Sequence, residues 1–255
     1  AGCVYHGRYA DGEDEDGNVR YVSIFPAENS STLTSVTIPK SVQKIAEGAF
    51  YEQTKLQSVT FEKGSQCRLI DYAAFCGDIS LKSITIPASV TRIEEEAFAD
   101  TYKMTNITFS QGSRLTYIGV DAFGASGIKS ITLPSTLATI GADAFQDTDI
   151  TSITIPASVT SLGEFAFWGC NNLKTVKFAA NSKCTSIGMG AFMDCESLTS
   201  LSIPAKVATI PEGFINGCSS LKKFIIPNTV KMIDSYAFNG CKGTTVTFAG
   251  GSRCT

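Results

Sequence analysis

The chain has 255 residues, 43% of them hydrophobic and 18% charged, with a formal net charge of −3. That much apolar material over one or two domains' length excludes global disorder. The absence of a long Lys/Arg run argues against a nucleic-acid footprint, and no apolar run approaches the roughly 18 residues of a membrane span.

The chain opens on Ala1 rather than Met, without a charged-then-apolar leader, as a processed or excised fragment does. Residues 1–32 form a segment of their own. "CVYHGRYA" and "NVRYVSIFPA" alternate in polarity around "DGEDEDG", which predicts a β-hairpin with an acidic tip that caps the neighbouring part of the chain. A calcium loop is the sharper reading of Asp11, Glu13, Asp14, Glu15 and Asp16. With Gly17 as the loop glycine the first ligand position falls on Gly12, and no Glu closes the loop, so a solvated turn is preferred.

From Leu33 the chain repeats itself. The phrase "KSITIPASVT" at 82–91 returns almost unchanged as "TSITIPASVT" at 151–160. The opening apolar residue falls at Leu33, Leu56, Leu81, Met104, Ile128, Ile150, Leu173, Leu198 and Leu221, and a truncated tenth unit starts near Gly243. Self-similarity at 22 to 25 residues is the signature of a solenoid, here spanning 33–255. Each unit has two halves. L-x-x-[VI]-x-[ILF] alternates β-branched residues and predicts a short strand, ended by Pro in six units. I-x-x-x-A-F places apolar residues at i, i+4 and i+5 and predicts one helical or 3₁₀ turn. Eight phenylalanines share the A-F slot: Phe50, Phe75, Phe98, Phe123, Phe145, Phe167, Phe192 and Phe238; Ile215, preceded by Phe214, takes the ninth. Stacked units turn this slot into an aromatic ladder, because no unit can bury its apolar face alone.

The pattern L-x-x-[VI]-x-IP-x-S-V-x-x-I-x-x-x-AF-x-x-C resembles the BspA-like class of leucine-rich repeats over nearly the whole chain. The resemblance implies a right-handed superhelix with a parallel β-sheet on the concave face and short helical or 3₁₀ turns on the convex side. It also implies a surface or secreted protein with a binding or adhesion role. The N-terminal segment is similar to the hairpin often inserted before a unit in that class.

Catalytic chemistry is thin. His6 is the single histidine, so no Ser-His-Asp or Cys-His arrangement with a second base is available, and no zinc, phosphate-loop or dinucleotide motif occurs. No enzyme, metal or cofactor is expected. Cys170, Cys195, Cys218 and Cys241 share one slot three residues after A-F, and Cys67, Cys184 and Cys254 share a bend. Cys3 and Cys76 stand alone. Buried free thiols are the preferred reading, although stacked coils about 4.8 Å apart leave bridges geometrically open. The sequons at Asn29 and Asn106 read as chance occurrences.

The residues flanking the central V or I of each strand point away from the core and line the concave sheet. Coils one to six offer Ser, Thr and Asn, including Ser130/Thr132 and Ser152/Thr154; then come Thr175/Lys177, Ser200/Ser202 and Lys223/Ile225. Exposed β-propensity accounts for the hydroxyl rows as well as a ligand-binding surface does, and Ser130, Thr132, Ser152, Thr154, Thr175, Ser200 and Ser202 are candidate ligand contacts. The break at Lys177, Lys223 and Ile225, with Lys174 and Lys222 beside it, points to a ligand site that attracts an acidic protein or glycan. The expected function is therefore a non-enzymatic binding module at a cell surface or in a secreted protein. A structural spacer in a larger multidomain surface protein is the alternative; ice binding through the hydroxyl rows is disfavoured because such a solenoid curves.

Overall fold

The computed structural model describes residues 9–13, 19–22 and 32–250. Tyr9–Glu13 and Val19–Val22 pair antiparallel, with an irregularity between Ala10 and Glu13. The acidic tip at 14–18 lies outside the described residues, and the calcium reading with it. His6, Asn29 and the end of the tenth unit lie outside them as well.

From residue 33 the chain winds into a parallel-strand solenoid of nine coils. On the concave side Ser35–Ile38, Ser58–Phe61, Ser83–Ile86 and Asn106–Phe109 make one four-stranded parallel sheet. Ser152–Ile155, Thr175–Phe178 and Ser200–Leu201 make a second, and Lys223–Ile226 pairs with Thr245–Phe248. The period-2 pattern sets the faces: Val59, Ile84, Ile107, Ile153 and Val176 point into the core, and the Ser and Thr between them stay outside.

The I-x-x-x-A-F half behaves differently from expectation. Its first residues form a second parallel ladder of two-residue strands, seven of them from Lys44–Ile45 to Ser186–Ile187, continued by Thr209–Ile210 with Met232–Ile233. The A-F segments after them are chained turns; no α-helix or 3₁₀-helix occurs among the described residues, so the expected helical turn is corrected. The backbone explains why. Gly48, Phe50 and Glu52 donate N–H bonds to Tyr72, Ala74 and Cys76 of the next coil, while Ala49 and Tyr51 bond back to Ala46 and Gly48. Half the donors thus leave the segment, and a helix would keep them. Residues two before and two after the slot also take left-handed φ, as at Glu96 and Asp100 around Phe98, which a right-handed helix cannot contain.

One hydrophobic core runs the length of the solenoid. Its spine is the expected aromatic ladder. Rings from Phe50 to Phe192 stack at 5.1–5.5 Å between centroids, all within 12° of parallel. Each buried ring stabilises by roughly 1.5–3 kcal/mol. Close coil spacing also needs bare backbone. At Gly163 an added Cβ would lie 2.3 Å from the Ala142 nitrogen and the Gly141 carbonyl carbon, so glycine there is a steric requirement.

Candidate functional site

The concave face is solvent-facing throughout. Ser130, Thr132, Ser152, Thr154, Lys177, Ser200, Ser202, Lys223 and Ile225 are exposed, and Thr175 is half-buried. The face is not uniform, because the sheet beneath it is interrupted. Coil five contributes only an isolated bridge between Asn106 and Ser130, although its "SITL" matches strands elsewhere. Coils eight and nine belong to separate sheets. Between coils two and three the register shrinks to the single pair Val59 and Ile84.

A groove opens at each discontinuity. The first, about 590 Å³, gathers Ser130, Thr132, Ser152 and Thr154 with Phe109, Ile131 and Leu133. Ile131 is half-buried where its equivalents Ile107 and Ile153 are buried, and it is paired in no ladder with the strands of coils four and six. The second, about 540 Å³, gathers Ser200, Ser202, Lys223 and Ile225 with Pro227 and Asn228. Ile225 is 49% exposed there, a large apolar side chain on a polar sheet. Lys177 does not line that groove but lies one coil before it, on the strand whose Thr175 and Val176 pair with Ser200 and Leu201. Phe109, Ile131 and Leu133 escaped the sequence reading, because nothing local in "SITL" announces a missing strand. Between coils three and four one pair of concave hydroxyls is mutually satisfied, Thr85 and Thr108 lying 2.9 Å apart.

The profile of the BspA type leucine rich repeat region matches residues 25–149 and 138–253, in six copies. The chain belongs to this family of BspA-type leucine-rich repeats. Solved structures agree. The pneumococcal vaccine antigen PcpA aligns at 26% identity and TM-score 0.55 over 94% of this chain and 65% of that one. The T. pallidum leucine rich repeat protein TpLRR aligns at 26% and 0.59, over 78% and 91%. A leucine-rich repeat protein from Eubacterium ventriosum aligns at 25% and 0.51, over 85% and 66%. The chain thus spans just under two thirds of the PcpA and Eubacterium chains. Among curated protein sequences none is significantly similar to it. None of these relatives of the BspA-type solenoid indicates an enzymatic family.

Inside the BspA-type coils, the slot three residues past A-F holds more than thiols. Asp78, Thr101, Ser126, Thr148, Cys170, Cys195 and Cys218 form a buried polar column. The thiols of Cys170, Cys195, Cys218 and Cys241 each donate to the slot carbonyl of the preceding coil at 3.1 Å. Burial pushes the Cys170 and Cys218 thiols up to about 12, so they are neither nucleophiles nor metal ligands near neutral pH. Six of the described cysteines are free, as the thiol-ladder reading requires. Cys76 is the exception and is disulfide-bonded. No group of three or more His, Cys, Asp or Glu arranged to hold a metal occurs among the described residues. No helix among them is long and apolar enough to cross a membrane.

Proposed function

We propose that the chain is a non-enzymatic binding module at a cell surface or in a secreted protein, taking a protein or glycan ligand on its concave sheet. The observation that carries this reading is the groove between coils eight and nine. It joins a cation, Lys223, to an exposed apolar anchor, Ile225, and to the hydroxyls of Ser200 and Ser202. Lys174, Lys177 and Lys222 are exposed nearby, so an acidic ligand is favoured and its encounter rate rises. The disulfide at Cys76 suits an oxidising compartment, which supports an extracellular location. The similarity to a vaccine antigen supports it too. The hairpin in residues 1–32 serves in this reading as a cap on coil one, where Leu33, Val36 and Phe50 are only partly buried.

The test uses heparin and poly-glutamate as acidic glycan and peptide probes. Lys177→Glu with Lys223→Glu should weaken binding and flatten its salt dependence without altering stability. Ser83→Glu with Thr85→Glu in coil three is the control. Binding lost only in the control displaces the site. Binding unchanged in both favours a spacer, the second reading, which the mutually satisfied Thr85 and Thr108 hydroxyls suit.

A further inference from the structure

The face opposite the sheet carries a different electrostatic character. The nine segments from the I of I-x-x-x-A-F to three residues past the slot contain 15 of the chain's 24 acidic residues and no Lys, Arg or His. The two ion pairs found among the described residues, Lys44–Asp71 and Arg92–Glu94, both lie in coils one to three and draw their cations from outside these segments. Around coils five to eight, Asp147, Glu164, Asp194 and Glu212 are exposed without an ion pair.

In the middle of those carboxylates lies an apolar plate. Trp168 is 38% exposed, and its indole N–H donates to Asp194 Oδ2 at 3.1 Å, which fixes the ring. Phe165 meets it edge-on at 6.2 Å. The Phe165 ring lies directly over Gly190, where an added Cβ would come within 2.4 Å of its Cε1, and the Met193 methyl lies over Gly213. Phe165 holds a left-handed φ of 52°. Apart from Tyr236 in coil nine, the other coils fill that position with Gly, Ala, Asp or Glu. The backbone does not ask for an aromatic there. A bulky ring in that conformation, seated on the side-chain-free Gly190 of the next coil beside an immobilised indole, is a preformed surface.

We propose that this plate docks an arginine-bearing segment of a protein partner, its guanidinium stacked on Trp168 and its charge met by the surrounding carboxylates. Charge complementarity selects the occupant, since the segments around the plate carry exposed carboxylates and no Lys, Arg or His. The chemistry selects arginine over lysine, because a planar guanidinium stacks on an indole and forks to carboxylates while an ammonium remains a hydrated point charge. The site is independent of the concave grooves.

Trp168 is the single tryptophan, so its fluorescence reports this site alone. Titration with hexa-arginine should give a saturable change, with hexa-lysine roughly ten-fold weaker. Asp147→Asn with Glu164→Gln should weaken hexa-arginine about ten-fold. Glu47→Gln with Glu62→Gln, the same charge change in coils one and two and remote from Trp168, should leave affinity unchanged. Phe165→Gly relieves the left-handed backbone and keeps the fold, checked by thermal midpoint, yet should still weaken binding. The Lys177→Glu, Lys223→Glu variant should retain it. Equal affinity for the two cationic peptides reduces the effect to counterion attraction and overturns the proposal. So does equal loss in both charge variants, absence of saturation at millimolar peptide, or a Trp168 response to a neutral oligosaccharide in place of the peptide.

Discussion

The ring of Phe214 meets that of Phe192 at 5.6 Å and 82°, where every earlier step of the ladder is near parallel. Phe214 occupies the position that Ala holds in the other coils, and Ile215 fills the slot. Both are fully buried, so coil eight packs one aromatic from the wrong side and passes the ladder on through Phe224 to Phe238. Phe214→Ala or Ile215→Phe alone should destabilise, by a cavity in the first case and overpacking in the second. Together they restore the Ala-Phe pair and should recover most of the loss in a double-mutant cycle. Simple additivity by denaturant unfolding would refute the register argument.

Mid-ladder, Phe145→Ala should cost about 3–5 kcal/mol, since its ring is fully buried between Phe123 and Phe167. A loss below about 1 kcal/mol in the same assay contradicts the ladder as the spine of the core.

Backbone crowding supplies a separate test. Gly163→Ala drives a Cβ into the Ala142 nitrogen, while Gly64, at φ +80°, has nothing within 4 Å of its added Cβ. Alanine at Gly64 should cost only the left-handed penalty of about 1–2 kcal/mol. Alanine at Gly163 should cost more, because backbone cannot swing aside. Reversed thermal midpoints for the pair would contradict the close coil approach.

The thiols should be inert. Cys170, Cys195 and Cys218 are fully buried and hydrogen-bonded to carbonyls. Alkylation followed by mass mapping should find them unmodified in the native protein and labelled after unfolding. Half-buried Cys241 should react first among the column. Bridges between neighbouring coils would overturn this account.

Stability should fall as pH rises through neutrality. Asp78 is fully buried; its Oδ1 accepts the Gln53 N–H at 2.7 Å, and its Oδ2 has no hydrogen-bond partner among the described residues. Desolvation pushes it up from 3.8 to about 9, against the smaller lowering effect of the Gln53 bond. The native state therefore keeps a proton that the unfolded chain releases. The native state binds more protons between those two values, so its stability is greatest below the lower one and declines as pH climbs toward 9. Glu96, raised to about 7, and Asp121, raised to about 6, act in the same direction in the lower part of that window, chiefly by desolvation. Asp78→Asn should flatten the profile between pH 5 and pH 9. A wild-type midpoint that rises across this window, or a variant with an unchanged profile, removes Asp78 as the cause.

The sequence by itself determined the repeat, the coil count, the strand faces, the aromatic ladder and the thiol slot. Each rests on side chains recurring at one spacing, and stacking identical units leaves those positions a single place to go. Ser83, Lys223 and Ile225 were readable as exposed for the same reason: they alternate with buried neighbours. Tertiary structure decided what depends on one coil's fit to the next. The A-F segments became turns because their N–H groups bond across coils, a choice no single unit records. The sheet breaks at coil five and between coils eight and nine came from inter-coil register, although "SITL" and "SITI" read alike locally. The candidate grooves lie at those breaks, so their residues were legible one by one but not as sites. The Phe165 and Trp168 plate was invisible for the same reason, since the floor under Phe165 is the empty space above Gly190, supplied by the next coil.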